Sequence, residues 1–531
     1  MTVEALAQHM ENPLGRGRTP EHACTGAAGG AACGDLIRVS VEVARDGPDG
    51  EILDAGFDAS GCGAAIAAGS ATVELLRGAN LLQAARLGAS DIAAELGGLS
   101  QAKLHAAELA ADALHRALGW AARTQAKLTP VPGRQLVAMS GGVDSAVAAL
   151  LVGETGGEAV AVTLELWSDP ENDGERSCCS AQAVRSAREI AHGMGMAHFS
   201  IDLREEFKAG VVDGWLEGYA AGLTPNPCVR CNGTVRLDAM LELADRLGAR
   251  TLATGHYARV WQSSEIPENG ASTENGAPRT QELQISPDRS RPRDSTPLLR
   301  MAVDERKDQS YALAALSPGS LARLRFPLGD LTKPEVRELA RQADLEVARR
   351  PDSQDLCFLA GTNSADFLAR HAGLERREGA IVDLDGRKLG EHGGVHTVTV
   401  GQRHGLGIDG RGVNRTGGVD GPVYVIATDA RTNTVTVASR EHLRTNTVSV
   451  GDVTLRRDGS CVDQVKIRYR GQRLRCTVVG QVPAGIHARL DLDMLEQVER
   501  TAPGQVACLY AGDVIVGHGT IVLGDDARPG A

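Results

Sequence analysis

The chain has 531 residues, 42% apolar and 23% charged, so it is globular and too long for a single hydrophobic core; three or four domains are expected. Aromatics make up only 3%, so the cores must be built mainly from Ala, Val and Leu. A net charge of −12 argues against indiscriminate nucleic-acid binding but allows a local basic surface, because phosphates sense charge within a Debye length of about 8 Å.

Residues 1–125 read as a first unit of the α+β class. Leu36–Ala44 and Ile52–Ala59 have strand patterns and flank a turn at Asp46-Gly47-Pro48-Asp49-Gly50, as in a hairpin. Helices follow over Ala64–Arg77 and about Lys103–Ala122, the second carrying Leu104, Leu109, Ala113 and Leu118 as a core-facing stripe. Residues 126–133, with Thr129, Pro130, Pro132 and Gly133, read as a linker. The start Met1-Thr2-Val3-Glu4 lacks a basic, apolar leader and no run of eighteen apolar residues occurs, so a cytoplasmic protein with no membrane contact is expected. Its eleven cysteines should then be reduced, which points to catalytic or metal chemistry rather than a disulfide framework.

The next stretch organises the rest. Gln135–Met139 reads as a buried strand, Ala146–Leu151 as the start of a helix, and Ser140-Gly141-Gly142-Val143-Asp144-Ser145 as the turn between them. Glycines let backbone N–H groups approach a phosphate, and the free amides of a first helical turn point at it. Ser140 and Ser145 add hydroxyl donors, and Asp144 can hold the helix start or a magnesium ion. No Gly-Lys-[Ser/Thr] follows, so this is not a P-loop. It resembles the pyrophosphatase loop of ATP-dependent enzymes that leave AMP on their substrate.

Strands at Ala159–Leu166, His198–Asp202 and Thr251–Gly255 then alternate with helices at Ala181–Met194 and Asp238–Leu247, predicting a doubly wound parallel sheet whose ligand lies at the strands' carboxyl ends. Residues 262–296 lose all periodicity and read as a disordered insertion between two strands. After helices at Pro334–Ala343 and Ala365–Ala372 the chain turns β-rich, with a hairpin around Asp429–Asn433 in a small central domain (376–442) and short strands beyond it suggesting a terminal barrel (443–531).

Two resemblances extend this reading. His9-Met10-Glu11-Asn12-Pro13, Cys33-Gly34-Asp35, Gly61-Cys62-Gly63-Ala64-Ala65 and Lys103-Leu104-His105 resemble the NifU/IscU-type iron–sulfur scaffold. The resemblance implies a scaffold site at Cys33, Asp35, Cys62 and His105, for iron–sulfur or zinc; the family's third cysteine is replaced by Ala106. Ala138–Ser145, Thr224–Asn232, Ala253–Arg259, Lys307–Tyr311, Asp352–Phe358, Gly394–Gly407 and Ala502–Gln505 resemble, in order, the bacterial tRNA-specific 2-thiouridylase family.

That second resemblance implies an ATP-pyrophosphatase (HUP-like) catalytic domain over 134–375, and ATP with Mg2+ bound by Ala138, Met139, Ser140, Gly141, Gly142, Val143, Asp144, Ser145, Leu164 and Gly255. It implies adenylation of a tRNA wobble uridine followed by sulfur transfer, with Cys357 carrying a persulfide and Cys231 as nucleophile. The tRNA would meet Asn226, Pro227, Cys228, His256, Lys307, Asp308, Gln309, Arg468, Tyr469 and Gln505, and a cysteine desulfurase or sulfur-relay protein would supply the sulfur. Cys228, Cys231 and Cys357 also offer three thiolates, enough for a four-iron cluster with one open iron, so the same reaction through a cluster stays open. The rival from another class is an iron–sulfur or sulfur-carrier assembly scaffold with the ligase half as platform. Taken singly, Cys357 reads as a small buried apolar residue, His256 as a core histidine, and the basic Lys466–Arg470 run as a solvated edge strand.

Overall fold

A computed structural model describes residues 3–30, 34–45, 49–169, 180–262, 296–351, 356–359, 361–406, 408 and 422–523. Cys33, Cys178, Cys179, Asp352–Asp355 and nearly all of the expected insertion lie outside these residues.

The first unit folds as a three-stranded antiparallel sheet, β1 (Cys24–Gly29), β2 (Leu36–Val43) and β3 (Ile52–Ser60), in that order. Its helices are α1 (Val3–Glu11), α2 (Gly63–Leu75), the short α3 (Leu81–Ala84) and α4 (Ala89–Glu95), and the long α5 (Gln101–Thr124). The β2–β3 hairpin and the α2 and α5 helices match the sequence pattern. The pattern did not reveal β1, whose Cys-Thr-Gly-Ala-Ala-Gly has little β-branched character.

The second unit holds a five-stranded parallel sheet. Its strands are β4 (Gln135–Ala138), β5 (Ala159–Glu165), β6 (Ala197–Asp202), β7 (Thr251–Thr254) and the two-residue strand Leu324–Arg325, ordered Leu324–Arg325, β7, β4, β5, β6. Helices α6 (Val143–Gly153) and α7 (Ala181–Gly193) cover one face, where Val137, Met139 and Ala161 pack on Ala149 and Ala187. On the other face Leu136, Val160, Val162, Phe199 and Ile201 join a cluster with Met240 and Leu243 of helix Leu237–Arg246 and with Ala110, Leu114 and Leu118 of α5. The long helix of the first unit therefore covers part of the second unit's sheet.

Residues 126–133 connect the units without forming a loose tether. Ala126 and Leu128 are buried, Leu128 N donates to Arg246 O at 2.7 Å, and Val131 N to Gly248 O at 3.1 Å.

Beyond residue 375, strands Gly379–Val382, Lys388–His392, Val423–Asp429 and Thr434–Ser439 make a four-stranded sheet around Ile381, Val425, Val435 and Val437. Six strands from Arg444–Leu455 to Val514–Val522 then close into a barrel through pairing of its first and last members. Arg259–Trp261 and Leu298–Arg300, which flank the insertion, pair with each other and extend the barrel's sheet from its last strand.

Candidate active site

The phosphate-type loop sits where the sheet topology predicts, between β4 and α6 at the strands' carboxyl ends. Met139 N donates to Val162 O at 2.8 Å, carrying the pairing one residue past β4 before the chain turns. Gly141 turns it with φ +71°, and a Cβ there would lie 2.8 Å from Ala183 O, so no other residue fits without strain. Gly142 caps α6 with no side-chain bond, leaving the first-turn amides open. The Ser145 hydroxyl donates to Gly142 O (3.0 Å) and accepts from Ser140 N (3.1 Å), holding the loop in shape. Gly255 packs directly behind it, since a Cβ there would be 2.7 Å from Ser145 N. Ala138 and Val143 are buried, and the Leu164 side chain points into the core beside Met240 and Leu243, so Leu164 can offer only main chain to a ligand.

Asp144 is held from two sides. Lys333 Nζ, on the first residue of helix Lys333–Gln342, lies 2.7 and 2.9 Å from its two carboxylate oxygens, and the Tyr257 hydroxyl donates to Oδ1 at 2.9 Å. Lys333 was not singled out from sequence, because its partner lies 189 residues away and no local pattern marks it. Arg350 reaches the same loop, donating to Gly141 O (3.2 Å) and to the Ser186 hydroxyl (2.9 Å). The loop thus offers an anion its amides, the Ser140 hydroxyl and a nearly buried ammonium, the Ser145 proton being committed to Gly142 O.

The two mapped sulfur cysteines pack on one apolar cluster. Asn226 caps helix Pro227–Arg230 by accepting from Cys228 N at 3.0 Å, and the chain continues into a π-helical turn that buries Cys231. Cys357 is half-buried on a short 3-10 turn and packs against the same cluster. Its neighbour Phe358 is surrounded by Trp215, Phe367, Phe207 and Trp167, with ring centroids 5.2, 5.3, 6.0 and 6.5 Å away. In a chain so poor in aromatics this concentration fixes the cysteine's turn firmly. Cys228 keeps an exposed edge, but its crowded setting pushes the thiol's pKa up, with Arg236 opposing. Among the described residues no three His, Cys, Asp or Glu side chains converge to metal-binding distance, Cys228, Cys231 and Cys357 included.

The barrel clamps the segment before Cys228. Gln505 Nε2 donates to Thr224 O (2.6 Å), Thr224 N donates to Pro503 O (2.8 Å), and the Tyr311 hydroxyl donates to Val506 O (2.7 Å). Beside this clamp a cavity of about 450 Å³ is lined by Thr399, Gly401, Gln402, Arg468, Thr501 and Gln505. Arg468 is oriented by Thr501 Oγ1 and Arg500 O, both at 3.1 Å. Tyr469 is 45% exposed with its ring 6.0 Å from Tyr311, and burial followed by the nearby Cys228 raises its pKa. Lys307 is near enough to act on the same phenol. Asp308 and Gln309 turn inward: Asp308 accepts from Ala302 N (3.0 Å) and the Ser310 hydroxyl (2.8 Å), and Gln309 Oε1 from Tyr257 N (2.9 Å). His256 bonds Thr254 Oγ1 at 2.9 Å, and burial with Arg236 pushes its pKa down to about 3, leaving it neutral.

In the first unit Asp35 Oδ1 accepts from Cys62 N (2.8 Å), and the Cys62 thiol donates to Oδ2 (3.4 Å). His105 lies 3.7 Å from Glu108, its Nε2 buried without a hydrogen bond, while Ala106 is packed in the core. Among the described residues the expected site therefore shows one thiol in contact with one carboxylate, and Cys33, its other expected thiolate, lies outside them.

Comparison with known proteins follows this division. Residues 2–127 match the NifU-like N terminal domain, 134–361 the tRNA methyl transferase HUP domain, 365–439 the tRNA methyl transferase PRC-barrel domain, and 441–521 the aminomethyltransferase beta-barrel domain. The tRNA-specific 2-thiouridylase MnmA of Corynebacterium efficiens is 38% identical, and that of Acidithiobacillus ferrooxidans 39%, each over 73% of this chain and 98% of its own. A Rubrobacter xylanophilus protein named bifunctional protein NifU/MnmA is 40% identical over 98% of both chains. With both halves matched in one continuous relative, this chain belongs to the bifunctional NifU/MnmA family.

Proposed function

We propose that the protein is a cytoplasmic, ATP-dependent tRNA-uridine 2-sulfurtransferase. The observation that carries this reading is the phosphate-type loop at the carboxyl end of the parallel sheet, its first-turn amides open and Lys333 beside it, in a chain whose relatives over 73% of its length are named tRNA-specific 2-thiouridylases. A uracil carbonyl oxygen is a poor leaving group. Attack of that oxygen on the α-phosphorus of ATP forms an O–P bond and breaks the bond to pyrophosphate, converting it into the oxygen of AMP. The loop amides, that of Ser145 among them, the Ser140 hydroxyl and Lys333 bind the phosphates and take up the charge that pyrophosphate carries away, while the Ser145 hydroxyl holds the loop's shape. Mg2+ would supply further charge neutralisation, with Asp144 as its nearest carboxylate once a phosphate competes for Lys333.

Sulfur then replaces AMP. A persulfide on Cys357, loaded by a cysteine desulfurase or sulfur-relay protein, is attacked at its Cys357 sulfur by the Cys231 thiolate. The terminal sulfur leaves as hydrosulfide and adds to the uracil carbon, AMP departs, and a Cys231–Cys357 disulfide remains for an external thiol to reduce. Arg468, Tyr469, Lys307 and the Thr224–Cys228 segment are the side chains and backbone offered to the RNA, whose target base must leave its stack to reach the site. Phe358 fixes the cysteine's turn, and the aromatic cage around it limits water access.

The test uses unmodified tRNA, ATP and Mg2+ with two sulfur sources in turn: free sulfide, which needs no persulfide, and a cysteine desulfurase with cysteine, which loads one. The expected result is 2-thiouridine with one AMP per thiolated base, and loss of persulfide-dependent turnover in both Cys231→Ser and Cys357→Ser. AMP release without thiolation in the wild type, or full desulfurase-driven turnover without Cys231, would contradict the assignment.

A further inference from the structure

Helix α5 of the NifU-like unit is buried on nearly every side. Its buried positions include Ala106, Ala107, Leu109, Ala110, Ala111, Ala113, Leu114 and His115, which no single stripe could produce. One side packs on β1 and β2 of its own unit and another on β6 of the catalytic sheet. The approach is close: a Cβ on Gly119 would stand 2.0 Å from Ser200 O. His115 reaches across the seam with Nδ1, 2.9 Å from His198 O, while Nε2 lies 2.8 Å from Leu87 O of its own unit, the neutral ring donating to one of the two, and Asp112 meets Arg185 and Arg188 at 2.6 and 2.8 Å. At the far end Arg246 Nε donates to Ala122 O at 2.9 Å.

One contact of this seam reaches the nucleotide side. Glu165 ends β5, immediately after Leu164, with its carboxylate largely buried. Arg116 of α5 faces it in a fork, Nε to Oε1 and Nη2 to Oε2, both at 3.5 Å, while Nη1 donates to Ala27 O of β1 at 2.6 Å. Arg204 also acts on Glu165, and Leu203 N donates to Glu165 O at 2.9 Å. Arg116 is therefore shared between β1 of the NifU-like unit and the strand end expected to meet the nucleotide.

We propose that the NifU-like unit is a fixed wall of the ATP domain rather than only a tethered sulfur supplier, with Arg116 as a positioning residue that sets the carboxyl end of β5 through Glu165. The proposal rests on the reading of that domain as ATP-binding. A buried carboxylate deprived of its partner recruits water or moves, and the main chain around Leu164 moves with it.

The test uses the full chain with Arg116→Ala, Arg116→Lys, Glu165→Gln and the Arg116→Ala/Glu165→Gln pair. Calorimetric ATP affinity is the first readout, and thiolation with free sulfide, which bypasses any protein-borne sulfur, is the second. Expected are a roughly three- to tenfold weaker Kd and higher KM for ATP in Arg116→Ala with kcat little changed, partial rescue by Arg116→Lys, and a double variant no worse than Arg116→Ala alone. If Arg116→Ala melts early, Glu165→Gln, which changes charge without removing atoms, carries the test. ATP affinity within twofold of wild type in folded Arg116→Ala and Glu165→Gln would overturn the proposal. A wild type that binds ATP but does not thiolate would instead refute the sulfurtransferase reading, leaving the affinities to decide this one.

Discussion

At the scale of single residues, the site depends on charge held in reserve. Lys333 is nearly buried against Asp144, and such a pair costs more to break than to omit, because a lone partner is left poorly solvated. Lys333→Met should destabilise the chain by about 1–3 kcal/mol, after allowance for the partly exposed carboxylate. It should also cut ATP-dependent AMP release by about two orders of magnitude, as expected when one donor to developing phosphate charge is removed. A Lys333→Met enzyme with wild-type AMP release would show that the ammonium is only structural. Gly141→Ala forces a side chain into φ +71° and toward Ala183 O, and should lower unfolding stability by about 1–3 kcal/mol in urea titration. The loop itself was legible because its glycines, hydroxyls and helix start are contiguous. Lys333 and Arg350 were not, because they come to it only through the tertiary fold.

Among the elements, the short 3-10 turn Cys357–Leu359 and helix α5 explain most. Phe358→Ala removes the ring at the centre of the aromatic cage, and should cost about 3–5 kcal/mol for a side chain buried this completely. The damage should appear as lost thiolation with ATP affinity close to wild type, measured side by side. Equal loss of both would mean that the cage supports the whole domain and not the cysteine's turn. Periodicity located α5 but understated its burial. At about 3.6 residues per turn Leu109 and Ala113 lie roughly opposite Leu104 and Leu118, so the expected single stripe is in fact two faces, and the alanines, Gly119 and His115 between them do not advertise the second sheet they meet. The same limit hid β1, a strand of small residues whose identity comes from pairing with β2 rather than from its own propensity.

For the molecule as a whole, one buried cluster runs from Ile37 and Val39 of the NifU-like unit through Phe199 to Cys231 and Phe358. The Corynebacterium efficiens and Acidithiobacillus ferrooxidans relatives match 73% of this chain, whereas the Rubrobacter xylanophilus relative matches 98%. Removing residues 1–125 should expose Phe199 and Ile201 and yield a chain that binds apolar dye and aggregates; a soluble, cooperatively melting truncation would contradict this.

Acid should act on the same seam. Burial, aided by Arg188 and neighbouring histidines, holds His115 and His198 well below the ordinary 6.5, and burial pushes His256 down to about 3 and His518 to about 4. The unfolded chain therefore takes up protons first as pH falls. The stability linked to these groups is complete above about 6.5 and declines below it, toward about 4 for His518 and 3 for His256, by at most about 1.4 kcal/mol per pH unit for each group. The melting temperature should drop between pH 7 and 5, and His115→Gln should flatten that slope; a pH-independent melt would refute it.

The central claim, that ATP activates a uracil oxygen for replacement by sulfur, is tested most directly by following that oxygen. With tRNA carrying oxygen-18 at uridine C2, ATP and sulfide, one turnover should place the label in the phosphate of AMP and leave pyrophosphate unlabelled. Label released as water, or AMP without it, would contradict the account.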